Sequence, residues 1–180
     1  MTTSTPGSRP AGYVPWPHPS PLLTALGDLW CRQADPLQAG FTADATKLNG
    51  RGFLHAGAIR AVADTVIGHG LGTVGAADAR HVTIDLRATF LGIVPAGAWV
   101  EVAVAITRAG RRLSAGGARF TSDGRLVATA DALFLPIGQD PRSAEGGGDP
   151  TITRVASRKQ HERGRETDED DDVQAAGGTV

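Results

Sequence analysis

The most constraining feature of the chain is a succession: one long, nearly charge-free apolar segment, then four stretches of alternating apolar and polar residues with only short connections between them. The segment at residues 56 to 72 places Ile59, Ala63, Val66, Ile67 and Leu71 at helical spacing. Small residues (Gly57, Ala58, Ala61, Gly68, Gly70) fill much of the remainder. A helix with so little polar face is expected to be wrapped by protein on most sides. The four stretches, HVTIDLRATFL, WVEVAVAITRAG, RRLSAGGARFTS and LVATADALFLP, carry the two-residue period of strands. In the first, Val82, Ile84, Leu86, Ala88 and Phe90 are expected on one face and Thr83, Asp85, Arg87 and Thr89 on the other. Ser122-Asp123-Gly124-Arg125 supplies turn chemistry for a hairpin between the last two. Consecutive strands with no helix between them pair antiparallel, so the succession predicts an α+β fold, an antiparallel sheet wrapped around a central helix.

Upstream, Ser20 followed by Pro21 reads as a helix N-cap with proline in the first turn. Leu22, Leu23, Leu26, Leu29 and Trp30 supply a helical stripe, which predicts a helix from about 21 to 32, broken by Asp35-Pro36. LQAGFTADATKLN then reads as a first strand with Phe41, Ala43 and Ala45 on one side. Residues 1 to 19 hold five of the eleven prolines and no periodic apolar pattern, which suggests an extended N-terminal arm outside the core, with Trp16 free to dock. Residues 137 to 180 are poor in apolar side chains and place a basic stretch around Arg158 to Arg165 beside the acidic run Glu166 to Asp172. They read as a disordered charged tail, leaving residues 20 to 136 as the folded domain.

Charge and cysteine usage exclude several classes. Lys and Arg (18) nearly balance Asp and Glu (19), so no global field favours nucleic acid or an anionic membrane. The lone Cys31 cannot form an internal disulfide, the N-terminus lacks a signal-peptide pattern, and no run approaches the roughly 18 apolar residues of a membrane span. The expectation is a soluble cytoplasmic protein without nucleic-acid or membrane partners.

The candidate chemistry lies in LNGRGFLHAGAIRAVADTVIGHGLG. Asp64 sits among Ala61, Val62, Ala63, Val66, Ile67 and Gly68, where an ionised carboxylate is costly unless it has a partner or a role. One reading pairs it with Arg60 one turn earlier on a solvated face. The other makes it a base at the helix edge. Gly57 falls in the first helical turn, where unpaired N–H groups and the helix dipole suit a developing oxyanion. Glycine there serves either close approach of a ligand or close packing of helix and sheet. His55 has no companion at metal-ligand spacing, so orienting the loop is its expected role.

The same segment resembles the signature of hotdog-fold thioesterases of the phenylacetate-pathway (PaaI-like) type, in which an asparagine, an HGG-like turn and an aspartate recur in this order. The four strands after it, with the turn from Phe90 to Gly97, are similar to those of that family, and the resemblance extends from about Ala25 to Pro136. It implies an enzyme that hydrolyses acyl-CoA thioesters with no metal or other cofactor, at sites formed between two subunits of a homodimer or homotetramer. Carried over by position, Asp64 is the carboxylate that activates water or attacks the thioester carbon, and Gly57 the backbone donor to the thioester oxygen. Asn49 helps hold the water or leaving group, Thr83 orients the water, and His55 is the loop histidine. Ala56 stands where the first glycine of HGG is usual, which is expected to narrow the approach of the substrate. A non-catalytic acyl-CoA sensor of the same fold is the alternative.

Overall fold

The structure is a computed structural model that describes residues 9–74 and 80–137. Residues 138–180 of the expected tail, and residues 1–8 of the arm, lie outside the described residues, whereas Ile137, the first residue assigned to the tail, ends the last strand. The elements are β1 (Tyr13–Pro15), α1 (Pro21–Leu26), β2 (Trp30–Arg32), β3 (Asp35–Thr42), a 3-10 turn (Ala45–Lys47), α2 (Ala56–Val74), β4 (Arg80–Phe90), β5 (Trp99–Arg108), β6 (Ser114–Ser122) and β7 (Arg125–Ile137). The strands form one antiparallel sheet in the order β1-β2-β3-β5-β6-β7-β4. Helix α2 packs on the face shared by β3 to β7.

The core follows from the apolar periods. Helix α2 buries Ala58, Ile59, Val62, Ala63, Val66, Ile67, Gly70 and Leu71 as one stripe. Against it stand the inward residues of the strands, including Phe41, Val100, Val102, Ala118, Phe120, Ala130 and Phe134. Small residues let helix and sheet approach closely: a Cβ on Gly116 would lie 2.9 Å from Ile67 Cγ2. The opposite stripe of α2, with Gly57, Arg60, Ala61, Asp64 and Gly68, is exposed or half-buried. The helix is therefore wrapped on one side within a single chain. The hairpin at Asp123-Gly124 forms as the turn chemistry requires, with both residues at positive φ (50° and 73°) and Ser122 paired to Arg125.

Three features depart from the expectations. Helix α1 starts where the Ser20 cap places it, the Ser20 side chain accepting from Leu23 N, but it ends at Leu26 rather than near residue 32. Gly27, at φ 78°, terminates it, and Trp30–Arg32 becomes a strand paired with β3. The arm is also less separate than its composition suggests. Tyr13–Pro15 extends the sheet beyond β2, and Trp16 is buried in the core, its ring 4.7 Å from that of His69 on α2. Lastly, Ala45 does not continue the inward face of Phe41 and Ala43, because it lies exposed in the 3-10 turn.

Strand β4 breaks its own alternation. A bulge falls between Thr83 and Asp85, so that Thr83 pairs with Phe134 and Asp85 with Leu133, leaving Ile84 as the extra residue. The expected face of Val82, Ile84, Leu86, Ala88 and Phe90 is thereby split. Leu86 and Ala88 pack against the core, whereas Val82 (47%) and Ile84 (54%) are exposed. Thr83 turns to the helix side instead. Strand β4 is also an edge of the sheet, eleven residues long, with no strand beyond it among the described residues.

Candidate active site

The residues expected to carry the chemistry fall into two clusters. In the first, Thr83 Oγ1 donates to Asp64 Oδ1 at 2.5 Å, linking the middle of α2 to β4. Both residues are half-buried. The surface pair with Arg60 does not form: Asp64 takes part in no ion pair among the described residues, and the Arg60 guanidinium instead lies 5.7 Å from the centroid of the Phe90 ring. The bulge in β4 is what brings a polar threonine to this carboxylate.

The second cluster is the loop that leads into α2. Asn49 Oδ1 accepts from Arg51 N (2.9 Å) and Phe53 N (3.2 Å), and Asn49 N donates to Phe53 O (2.7 Å). The chain reverses tightly there through Gly52 at φ 80°. Asn49 is thus a brace of the loop through its carbonyl oxygen. Leu54 N then donates to Val94 O and His55 N to Lys47 O, each within 2.9 Å, which fixes the entry to the helix. At that entry Gly57 N donates to His55 Nδ1 at 2.8 Å. His55 caps the first turn, and a Cβ on residue 57 would stand 2.9 Å from the same ring nitrogen. The glycine makes room for the histidine ring, so the packing role is real, but its partner is His55 rather than the sheet. Because His55 is exposed, the ring can leave and free the N–H for a ligand oxygen. Ala56, in the same turn, is also exposed.

The two clusters do not meet within one chain. Gly57 and Asp64 lie on one stripe of α2, yet seven residues separate them, about 10 Å along the helix axis. A base and an oxyanion donor acting on one carbonyl must each stand within hydrogen-bond reach of the reacting group.

The pair Asp44 and Lys47 escaped the sequence reading. Lys47 is 2% exposed, and its Nζ donates to Asp44 Oδ2 at 2.6 Å. Asp44 Oδ1 accepts from Thr46 N at 3.0 Å and caps the 3-10 turn. The turn presents the Lys47 carbonyl to His55 N, so the ion pair anchors the helix entry. The cap pattern of Asp44 and Thr46 was readable; the burial of a lysine was not. Burial pushes the Asp44 carboxyl up, but the hydrogen bonds from Lys47 and Thr46 outweigh it and hold the group below the ordinary aspartate value of 3.8. A carboxyl depressed in the folded state stabilises fully above its unfolded value and loses that contribution as pH falls through the folded one. The melting temperature of the wild type should therefore exceed that of Asp44→Asn at neutral pH by several degrees. The gap should narrow as pH drops below 3.8, as a pair of thermal scans against pH will show.

Among the described residues no group of three or more His, Cys, Asp or Glu side chains is placed to hold a metal, and no helix is long and apolar enough to cross a membrane. An antiparallel sheet with one long helix packed on its face is the hotdog arrangement. Solved structures agree. A thioesterase from Haemophilus influenzae superposes with a TM-score of 0.59 at 18% identity, over 64% of this chain and 81% of its own. A hypothetical thioesterase from Streptococcus pneumoniae, solved with coenzyme A, gives 0.53 at 19% identity over 57% and 81%. In sequence, a candidate esterase of Pseudomonas aeruginosa is 33% identical over 127 residues, which span 69% of this chain and 95% of the relative. Residues 51–129 match the family described as the thioesterase superfamily. The chain belongs to that superfamily.

Proposed function

We propose that the protein hydrolyses acyl-CoA thioesters to the free acid and CoA, in the manner of the phenylacetate-pathway branch of the superfamily, at sites that each draw on two copies of the chain. The observation that carries the reading is the Thr83–Asp64 contact on a helix face that a single chain leaves open. The Thr83 hydroxyl spends its proton on Asp64 Oδ1, which leaves Asp64 Oδ2 to accept a proton from water and the Thr83 oxygen to accept a second hydrogen bond from the same water. That water attacks the thioester carbon, its proton passes to Asp64, and the C=O electrons move onto oxygen. The Gly57 N–H of the other copy, released by His55, stabilises the oxyanion. Collapse of the tetrahedral species expels the CoA thiolate, which takes up the proton. Asn49 holds the loop that presents Gly57, and Ala56 narrows the approach.

The roughly 10 Å between Gly57 and Asp64 supports a site shared by two chains, and the open edge of β4 offers a means of pairing them. Antiparallel pairing of two β4 edges about a two-fold axis satisfies both edges and joins the two sheets into one. Coenzyme A in the Streptococcus pneumoniae neighbour supports the acyl carrier. One observation favours a second reading, a non-catalytic acyl-CoA sensor: the Gly57 donor is already satisfied by His55. Incubation of the purified protein with a panel of acyl-CoA esters and a thiol reagent separates the two, since hydrolysis releases thiol and a sensor only binds. No thiol from any ester, with binding intact, would sink the hydrolase reading.

A further inference from the structure

Arg60 is the one cation on the helix stripe that carries Gly57 and Asp64, three residues after the first and four before the second. Its side chain is exposed and forms no ion pair among the described residues. It lies instead over Phe90, at the end of β4, where Phe90 (40%), Leu91 (55%) and Ile93 (72%) form an exposed apolar surface. At that distance the guanidinium rests near the ring without stacking on it, and with no ion pair among the described residues its planar fork of donors stays available to a carboxylate.

We propose that Arg60 selects acyl groups that themselves end in an anion, a carboxylate above all, by binding that anion about one helical turn from the thioester carbonyl. The inference rests on the proposed hydrolase reading and adds the substrate class. Position decides which end of the substrate Arg60 meets. It lies about 5 Å along the axis from Gly57, within the span of a short dicarboxylic acyl chain, whereas the long pantetheine arm carries the CoA phosphates far from the thioester. The same residue discriminates against the alternative. A purely apolar acyl group laid against Phe90 would desolvate a cation without supplying its counter-ion.

The test compares glutaryl-CoA with hexanoyl-CoA, similar in length and different in terminal charge, and the same two acyl groups on phosphate-free pantetheine. For wild type, Arg60→Met and Arg60→Lys, the readout is the ratio of kcat/KM for the glutaryl over the hexanoyl ester. Loss of a charge-assisted fork is expected to lower that ratio roughly 10- to 100-fold in Arg60→Met on both carriers, with partial recovery in Arg60→Lys. A ratio unaffected by Arg60→Met would overturn the proposal. So would a loss shared by both acyl groups on CoA and absent on pantetheine, which would give Arg60 to the phosphates. If wild type cleaves none of the esters, the hydrolase reading fails by itself. Calorimetric binding of the uncleavable 4-carboxybutyl and hexyl thioethers of CoA then decides the role of Arg60: a preference for the carboxybutyl ligand that Arg60→Met abolishes upholds it, and a preference unchanged by Arg60→Met, or none in wild type, ends it.

Discussion

Asp64→Asn should leave the protein folded and able to bind acyl-CoA while turnover falls roughly 10²- to 10⁴-fold, the usual cost of removing a general base. The substitution is nearly isosteric. An asparagine carbonyl can still accept from Thr83 Oγ1, so the link between α2 and β4 survives. What disappears is the oxygen able to take a proton from water. Stability separates this outcome from a structural role for the charge. Because Asp64 joins no ion pair among the described residues, its neutralisation strands no cation, and the melting temperature should stay level or rise slightly. Thiol release and a thermal scan on the two proteins measure both effects. Near wild-type turnover in the variant would put the sensor reading first.

Gly57→Pro removes the other half of the site, and the loss should be about 10²- to 10³-fold, the scale seen when one oxyanion donor is deleted. Proline is tolerated in the first turn of a helix, so α2 should persist, with the N–H gone and the exposed His55 ring displaced from a Cβ that would stand 2.9 Å from its Nδ1. The decisive result comes from mixing. When Asp64→Asn and Gly57→Pro chains are co-expressed and assemble at random as dimers, hybrids contain one site made of two intact halves and one made of two damaged halves. Activity should return to about a quarter of wild type, because about half the dimers are hybrids and one of their two sites is whole. If Gly57 and Asp64 of the same chain worked together, every site in a hybrid would carry a lesion and nothing would return. The mixture therefore tests where the site lies as well as what it contains.

The architecture was legible because its signals were long and periodic. The 3.6-residue stripe of α2 and the two-residue period of β5 to β7 both match their observed faces, and the Asp123-Gly124 turn follows from local backbone preference alone. Short elements were not legible. Leu29 and Trp30 continue a helical stripe on paper, yet Gly27 ends α1, and pairing with Gly40 makes Trp30 a strand residue. Tertiary pairing decided what a six-residue helix could not. Within the candidate site, the identities of Asp64, Thr83, Gly57, His55 and Asn49 came from the sequence, but their partners did not. That Asp64 meets Thr83 and not Arg60 depends on a bulge that no residue in HVTIDLRATFL announces. That Lys47 is buried depends on the path of a loop folded over it.

The bulge at Ile84 has one more consequence. Regular alternation through β4 would bury Val82 and Ile84 and turn Thr83 away from Asp64, so the strand has two competing ways to lie against β7. In an isolated chain the slipped arrangement would hide more apolar area, roughly 1.5 to 3 kcal/mol for each side chain fully covered, yet the strand adopts the bulge and keeps Thr83 on Asp64. A neighbouring copy lying over Val82 and Ile84 would cancel that gain and hold the strand in the bulged arrangement. Association would then do more than join two finished halves: it would guard one strand against a slip of a single residue that would carry the hydroxyl away from the carboxylate.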